Sequence, residues 1–566
     1  MSRSDAAKTQ TGAVAVADLL AGYGVSHVFM VPAILRQTFV ELEFRHPEIA
    51  RVATHGEKSA AYMADGYARA SGRPGVCAAQ IVGALNLAAG LRDAWLAHSP
   101  VIAFTGGRSP ETKFRTVYQE VDDLPAFDNV TKLNATIDDV SRFPDMIRQA
   151  FRVATSGSPG PVHLQVQGNE GQIDQRTAEL DATAEPQFAQ LPPFRPQAEE
   201  GALRAALAAL QEARRPVIVA GGGVRASGAA AELVRLAEAL GVPVATSANG
   251  RDSISGRHPL SLGVVGTYSR ETANLAVGRA DLVCFVGTAA GGMTTHFWQV
   301  PPPGTRAVQI DIDPEVIGRN YPVEVGVLGD ARSVLRRMAE LADPATAALR
   351  EDWRAEVAAI RSDWADRYRE VMSSDASPMR PERLCRELAQ LLPSDAQIVV
   401  DTGHAGMWMA QFFDLTSARQ SYLRSAGHLG WAFPAGLGAQ CASPERRTVV
   451  FTGDAGLYYH LGELETAVRW NMKAITVVNN NVGGTQSRKR WEPLYRDRPR
   501  PEANRMWTYR DVELAEIANT MGALGIRVDR PAQLGPAIER ALETDGPVVI
   551  DARTAVEADA PQPVVA

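Results

Sequence analysis

Two short polar runs follow neighbouring apolar strands in the last third of the chain. Gly453-Asp454-Ala455-Gly456 comes after an apolar stretch at 448–452, and Asn479-Asn480-Asn481 ends the next one. Asp454 and Asn481 are 27 residues apart, about the length of a strand, turn, helix and second strand. Both side chains should therefore reach the same carboxyl edge of a parallel sheet, where α/β proteins bind ligands. A carboxylate and an amide oxygen suit Mg2+, and backbone N–H groups at Gly456 suit a diphosphate.

These motifs resemble the metal-binding sequence of the thiamine-diphosphate (ThDP) enzymes. The resemblance to these enzymes extends over almost the whole chain. The resemblance is to the group that contains acetohydroxyacid synthase, pyruvate oxidase, oxalyl-CoA decarboxylase and the 2-hydroxyacyl-CoA lyases. It implies that Mg2+ is bound by Asp454, Asn481 and the main-chain carbonyl of Gly483. Cofactor contacts are implied for Gly453, Asp454, Ala455, Gly456 and Asn481. Ala455 replaces the usual second glycine, but it keeps the backbone donor.

A second motif, His55-Gly56-Glu57, begins a helix rich in small residues. It resembles the segment that carries the catalytic glutamate of the family, which implies that role for Glu57. A carboxyl group in an apolar setting can exchange a proton with N1′ of the aminopyrimidine, so that the cofactor loses its C2 proton and forms a thiazolium ylid. Without this resemblance, an isolated glutamate at the start of a helix would be expected only to interact favourably with the helix dipole. The family places this glutamate and the metal motif in different subunits, which implies a homodimer or homotetramer with shared active sites.

Five further cofactor contacts are implied by the same resemblance. In Gly427-His428-Leu429-Gly430, Leu429 stands where a bulky apolar side chain bends the cofactor, and the Gly427 carbonyl lies near its 4′-amino group. Thr402-Gly403-His404 ends a strand where the family contacts the diphosphate, which implies binding roles for Gly403 and His404. Asn86 corresponds to the asparagine of the family's G-P-G-A-T-N loop.

The substrate side differs more from the family pattern. Ala33 and Ile34 replace part of a glycine-rich loop and should make that wall bulkier. Gln119 resembles the glutamine of the synthase F-Q-E motif, placed to hydrogen-bond a substrate oxygen. Trp491 loosely matches the tryptophan of the synthase lid, and Glu492 resembles a glutamate near the reacting hydroxyl in some 2-hydroxyacyl-CoA lyases. Three bases at 488–490 could attract an anionic substrate or a CoA phosphate, although a solvated charge run is the more usual role.

Strands and helices alternate along the chain in a way that predicts three consecutive doubly wound α/β domains. Proline-rich and polar stretches near 181–200 and 373–378 indicate the boundaries between them. We expect an N-terminal domain at 10–180 with the catalytic glutamate, a central domain at 200–342, and a C-terminal diphosphate- and Mg2+-binding domain at 378–555.

The central domain carries Gly221-Gly222-Gly223 after a strand, but no acidic residue closes the next strand, which argues against NAD. In acetohydroxyacid synthases this domain helps to bind FAD through an arginine-bearing segment. The matching stretch at 287–292 has no arginine, which argues against FAD. Asp311 and Asp313 could accept ribose hydroxyls of FAD or ADP, or could cap a turn, so ADP stays open.

Composition narrows the class of protein. The 566 residues carry 58 basic and 65 acidic side chains, which argues against binding to nucleic acid or an anionic membrane. No apolar run reaches a membrane span, and we expect no targeting signal. The four cysteines are scattered, which argues against disulfides and thiolate metal sites and fits a cytoplasmic protein.

The sequence therefore predicts a ThDP- and Mg2+-dependent C–C lyase or carboligase. It acts either as an acetolactate-synthase-like carboligase on 2-oxo acids or as a 2-hydroxyacyl-CoA lyase. The alternatives are an FAD-containing acetolactate synthase catalytic subunit, an oxalyl-CoA-type decarboxylase, and a non-catalytic binding protein of the same fold. The substrate is expected to be a small molecule or an acyl-CoA.

Overall fold

The computed structural model describes residues 7–496, 498 and 505–565. Within them the chain forms three six-stranded parallel sheets that follow one another in sequence, each flanked by helices. This arrangement confirms the predicted class of three consecutive α/β domains. We call them the first, central and last units, and the domain limits given above stay predictions.

The first unit has the strand order β3-β2-β4-β5-β7-β6, and β1 pairs with β8 in a separate antiparallel ribbon. Its strands are β1 (Ala7–Thr11), β2 (His27–Met30), β3 (Ala50–Ala53), β4 (Gly75–Ala79), β5 (Val101–Gly107), β6 (Leu133–Ile137), β7 (Val162–Gln167) and β8 (Thr177–Asp181). Its helices are α1 (Gly12–Gly22), α2 (Arg36–Arg45), α3 (Glu57–Ser71), α4 (Ala84–Leu96) and α5 (Phe143–Thr155). The Val25 N–H group donates to the Leu20 carbonyl at the end of α1, so Val25 belongs to the helix terminus and β2 begins at His27.

The central unit has the strand order β11-β10-β9-β12-β13-β14. Its strands are β9 (Pro216–Ala220), β10 (Val244–Thr246), β11 (Ser261–Val264), β12 (Leu282–Val286), β13 (Arg306–Asp311) and β14 (Val325–Leu328). Its helices are α6 (Glu200–Glu212), α7 (Gly222–Ala226), α8 (Ala230–Leu240), α9 (Glu271–Gly278) and α10 (Ala331–Leu341). Two helices follow it, α11 (Ala345–Ala348) and α12 (Glu351–Tyr368). Four apolar side chains of α12 are buried, namely Trp353, Val357, Ile360 and Trp364.

The last unit has the strand order β16-β15-β17-β18-β20-β19. Its strands are β15 (Gln397–Val400), β16 (Ser421–Arg424), β17 (Thr448–Gly453), β18 (Ile475–Asn480), β19 (Leu524–Val528) and β20 (Val548–Arg553). Its helices are α13 (Pro381–Leu391), α14 (His404–Phe412), α15 (Ala432–Ala442), α16 (Asp454–Tyr458), α17 (Glu463–Arg469), α18 (Thr485–Tyr495), α19 (Leu514–Thr520) and α20 (Leu534–Glu543).

Helices α3 and α15 join the first unit to the last through a very close contact. A Cβ atom on Gly66 would lie 1.9 Å from the Ala435 carbonyl oxygen, and one on Gly438 would lie 1.9 Å from that of Met63. Only glycine allows the two backbones to approach so closely. Apolar side chains from both units surround this contact in one continuous core. The small residues of α3 therefore fix how the helix that begins at Glu57 sits against the last sheet.

No helix in the described part of the chain combines the length and the apolar character that a bilayer span requires. All four cysteines are free thiols.

Candidate active site

The carboxyl edge of the last sheet brings the two polar motifs together. Strands β17 and β18 pair in parallel with Gly453 opposite Asn479. Asp454 is the first residue of α16, directly after β17, and Asn481 directly follows β18. The 27-residue spacing therefore places both side chains at one edge, as predicted.

Asp454 and Asn481 are both buried at this edge, and they offer oxygen atoms to a cation. Burial raises the pKa of the Asp454 carboxyl group to about 7, against hydrogen bonds from the N–H groups of Ala455 and Gly483 that lower it. Asn481 donates through Nδ2 to Thr485 Oγ1 at 3.1 Å. Its Oδ1 atom is buried and has no hydrogen-bond partner among the described residues. A buried acceptor without a donor is costly, and a cation would satisfy it.

These donors fit Mg2+ better than a transition metal. The described residues contain no group of three or more His, Cys, Asp or Glu side chains that could hold a metal. Mg2+ is commonly bound by one or two carboxylates together with amide or carbonyl oxygens, water and phosphate oxygens. The unpartnered Asn481 oxygen beside Asp454 has this chemistry.

Thr485, which the sequence did not single out, links Asn481 to the end of a second strand. Its Oγ1 atom lies 2.9 Å from Nδ1 of His404, at the start of α14. Burial, together with the nearby charges of Lys489 and Arg488, lowers the pKa of His404 to about 4, so the ring is neutral near pH 7. Gly403 and His404 thus lie beside the candidate metal site.

Glu57 lies on the first unit, at the first position of α3. Asn86 donates through Nδ2 to Glu57 Oε2 at 3.1 Å, so the structure joins two residues that the sequence implied separately. A Cβ atom on Gly83 would lie 2.4 Å from Glu57 Oε1, so a side chain there would displace the carboxyl group. Val82 and Leu85 beside it are 56% and 53% exposed. The half-buried glutamate therefore lies beside a loop that exposes apolar side chains.

Gln119 is held near the same loop. It has a positive φ of 66°, and its Oε1 atom accepts a hydrogen bond from Gln80 Nε2 at 3.1 Å. Asn169 donates to the neighbouring Tyr118 carbonyl at 2.8 Å. Gln80 immediately precedes the turn that leads to Asn86, so Gln119 and Glu57 flank one short segment.

Trp491 and Glu492 lie on α18, at the surface of the single chain. Trp491 is 44% exposed and stacks on Tyr495 with ring centroids 6.5 Å apart. Glu492 forms an ion pair with Arg488, with Oε1 3.6 Å from Nε. Leu429, the residue implied to bend the cofactor, is also 44% exposed.

Ala33 and Ile34 are placed differently from the other candidate residues. Ile34 is completely buried in the apolar core of the first unit, whereas Ala33 is half-buried. Of the two, only Ala33 has a side chain exposed enough to contact a substrate.

The central unit holds a separate cavity of about 510 Å3 at the carboxyl ends of its strands. Gly222 and Asp311 line it, together with most of the segment 287–292. Burial raises the pKa of Asp311 to about 6. Arg424, at the end of β16 in the last unit, also lines the cavity, so a cation reaches it from an element that the sequence did not indicate.

Arg424 is buried, and its guanidinium group stacks over the Tyr268 ring at 5.0 Å. Its Nε atom has no hydrogen-bond partner among the described residues. A buried guanidinium N–H that lacks an acceptor is suited to an anionic or carbonyl group of a ligand.

Comparison with known proteins agrees with this geometry. Three family models match in chain order. The thiamine pyrophosphate enzyme N-terminal TPP-binding domain matches residues 10–126, the central domain matches 203–338, and the C-terminal TPP-binding domain matches 401–552. Thiamine pyrophosphate is another name for ThDP. The fold and these matches define a ThDP-dependent enzyme.

Similarity to individual proteins narrows the group. A probable acetolactate synthase large subunit of Methanocaldococcus jannaschii is 31% identical over 555 residues, which cover 95% of this chain and 91% of that protein. The acetolactate synthase large subunit of Parasynechococcus marenigrum is 30% identical, with 97% and 88% covered. Acetolactate synthase 1 of Oryza sativa subsp. japonica is 31% identical, with 96% and 85% covered. The chain belongs to the acetohydroxyacid synthase group of ThDP-dependent enzymes.

Proposed function

We propose that this enzyme is a ThDP- and Mg2+-dependent carboligase of the acetolactate-synthase type that acts on 2-oxo acids. The observation that carries the proposal is the buried pair Asp454 and Asn481, whose free amide oxygen suits the metal, in a chain similar to acetolactate synthases over almost its whole length. Bound ThDP would supply the electron sink that carbanion chemistry beside a carbonyl needs.

Each part of the site has a distinct task in this proposal. Asp454, Asn481 and the Gly483 carbonyl would hold Mg2+ against the diphosphate, and Gly427 would orient the aminopyrimidine through its carbonyl. Glu57 would exchange a proton with N1′ of that ring.

On the substrate side, Gln119 would donate its amide to an oxygen of the bound 2-oxo acid. Its hydrogen bond to Gln80 occupies Oε1 and leaves the Nε2 group to donate. Trp491 would line the channel above it.

The decisive experiment is a substrate screen of the protein loaded with ThDP and Mg2+. Single 2-oxo acids, pairs of them, and 2-hydroxyacyl-CoA thioesters are incubated separately, and products are read by mass spectrometry. We expect 2-hydroxy-3-oxo acid products from pairs of 2-oxo acids. Formyl-CoA with a free carbonyl compound would instead identify a 2-hydroxyacyl-CoA lyase, and activity on neither class would contradict the proposal.

The lyase is the second candidate because of Glu492. Cleavage of a 2-hydroxyacyl group requires removal of the hydroxyl proton as the C–C bond breaks, and a carboxylate within reach can take it. We expect Glu492→Gln to slow turnover on the best substrate by roughly 10- to 1000-fold if the carboxylate has this role. Steady-state kinetics measure the loss of turnover. C2–H exchange of the cofactor is measured alongside, because it depends on Glu57 and should stay normal in this variant.

Arg488→Met is the matched control, because it breaks the same ion pair but leaves the carboxylate. An ion pair at the surface contributes little to the free energy of folding, so this variant should retain nearly full turnover. Equal and small effects in both variants would show that Glu492 only pairs with Arg488.

For the central cavity we propose a ligand of the adenosine diphosphate class rather than FAD. Asp311 could accept ribose hydroxyls, and Arg424 could bind a phosphate. We expect the purified protein to lack a flavin absorbance band and to bind ADP more tightly than adenosine in calorimetric titrations. Arg424→Met should remove most of that difference. Stoichiometric flavin absorbance, or equal affinities for ADP and adenosine in the unmodified protein, would contradict this assignment.

We also propose a homodimer, or a homotetramer built from two dimers, in which each active site is shared. The apolar residues Val82 and Leu85 are exposed on the single chain, and Glu57 nearby is half-buried. A second copy that brings its own metal site against this surface would cover them.

A further inference from the structure

The segment that joins β16 to α15 carries two of the implied cofactor contacts, Gly427 and Leu429. It has no regular secondary structure, and Gly427 and Gly430 have φ values of 151° and 80°. Its backbone therefore lacks a ladder of hydrogen bonds to strands or helices. Its shape must come from contacts with other parts of the chain.

The carboxylate of Asp93, in the first unit, contacts three residues of this segment, Ser425, Ala426 and His428. Asp93 on α4 is buried, and its Oδ1 atom accepts a hydrogen bond from the Ala426 N–H group at 2.9 Å. Its Oδ2 atom accepts one from the His428 N–H group at 3.2 Å. Ser425 Oγ lies 3.1 Å from the same oxygen and accepts from the Gly427 N–H group at 3.1 Å.

The carboxylate is itself fixed from the helix that begins at Glu57. Arg69 on α3 contacts Asp93 Oδ1 through Nη2 at 3.0 Å and also pairs with Asp65 on its own helix. Its Nη1 atom donates to the Arg424 carbonyl at 2.8 Å, just before the segment. All three charged side chains are almost fully buried, so solvent cannot replace these contacts.

The far end of the segment is held by the last unit. Asp401, at the end of β15, accepts a hydrogen bond from the Gly430 N–H group, with Oδ2 3.0 Å away. The segment is thus held at both ends by buried carboxylates, one from each unit. The contact from Asp93 crosses between units, and so does a hydrogen bond of 2.6 Å between the Tyr62 hydroxyl on α3 and His428 Nδ1.

We infer that Asp93 is a positioning residue, which sets the backbone of residues 425–428 and thereby the place of the Gly427 carbonyl and the Leu429 side chain against the cofactor. A carboxylate can accept from two N–H groups at once, whereas an amide has one acceptor oxygen and presents its NH2 group to the other. The inference rests on the proposed cofactor roles of Gly427 and Leu429.

The test is Asp93→Asn, with two measurements. In the protein without cofactor, hydrogen–deuterium exchange of peptides that cover 424–431 should become roughly 10-fold faster or more, because one buried N–H group loses its acceptor. In the protein saturated with ThDP and Mg2+, C2–H exchange of the cofactor should slow by about 10-fold or more. A merely structural role would lower the melting temperature and leave the second rate unchanged once the cofactor is saturating.

Asp174→Asn is the matched control. Asp174 is also buried in the first unit and accepts from the Thr38 N–H group and hydroxyl, but it does not touch the segment. It should alter stability without altering either rate. If Asp93→Asn does not fold, Ser425→Ala removes a hydroxyl that contacts the same carboxylate, the His428 carbonyl and the Gly427 N–H group, and it should accelerate exchange of the same peptides.

Unchanged exchange of peptides 424–431 in a folded Asp93→Asn protein, or in Ser425→Ala if that substitute is needed, would overturn the inference. Faster peptide exchange with normal C2–H exchange at saturation would also overturn it, because the segment would then not position the cofactor. If the unmodified protein shows no C2–H exchange at all, the proposed function fails instead, and the peptide measurement still decides whether Asp93 holds the segment.

Discussion

Replacing Glu57 with glutamine is expected to suppress C2–H exchange of bound ThDP by about 100- to 10,000-fold, the range of a lost general acid–base group. An amide keeps the size of the side chain and can still contact Asn86, but it cannot pass a proton to N1′ of the aminopyrimidine. The fold and the affinity for ThDP should change little. Exchange is measured by NMR after acid quench of the protein loaded with ThDP and Mg2+.

Asn86→Ala provides the control, because it removes the hydrogen bond to Glu57 but leaves the carboxyl group in place. We expect its effect to be far smaller than that of Glu57→Gln. Normal exchange in Glu57→Gln would mean that another group exchanges the proton with the cofactor. A larger loss in Asn86→Ala would point to the asparagine instead.

Asp454→Ala is expected to weaken Mg2+-dependent binding of ThDP by more than about 100-fold, since even residues behind a metal ligand change affinity 10- to 100-fold. The diphosphate would lose the cation that joins it to the protein, and neutral donors such as the Ala455 N–H group would remain. Calorimetric titration with ThDP, with and without Mg2+, measures the loss. Asn481→Ala should change affinity in the same direction.

Asp511→Ala is the control for this prediction, because Asp511 pairs with Arg553 and lies outside the proposed donor set. It should bind ThDP and Mg2+ like the unmodified protein. Unmodified affinity in Asp454→Ala would place the metal elsewhere.

A mixture of the Glu57→Gln and Asp454→Ala variants tests whether the active site is shared between subunits. If Glu57 of one subunit serves the cofactor held by Asp454 of another, a mixed dimer of Glu57→Gln and Asp454→Ala contains one intact site. Random exchange of subunits should then restore roughly a quarter of the unmodified activity, because half of the dimers are mixed and half of their sites are intact. No recovery after complete subunit exchange would mean that each chain forms its own site.

The sequence alone was enough to predict the three α/β domains and the edge at which Asp454 and Asn481 meet. Both depend on local regularities. Apolar strands alternate with helices, and residues after consecutive parallel strands must reach the same edge whatever the details of packing. The resemblance to a known family then assigned candidate roles to Glu57, Gly427 and Leu429, and those roles stay predictions.

The tertiary structure alone showed which side chains from distant parts of the chain meet at the candidate metal site, in the central cavity and at the segment before α15. Thr485 links Asn481 to His404, Arg424 enters the central cavity from the last unit, and Asp93 reaches Ala426 across 333 positions of sequence. No periodicity records such contacts, because they depend on how separate units pack. That packing is set by the close approach of α3 and α15 at Gly66 and Gly438, where one added methyl group would collide with backbone.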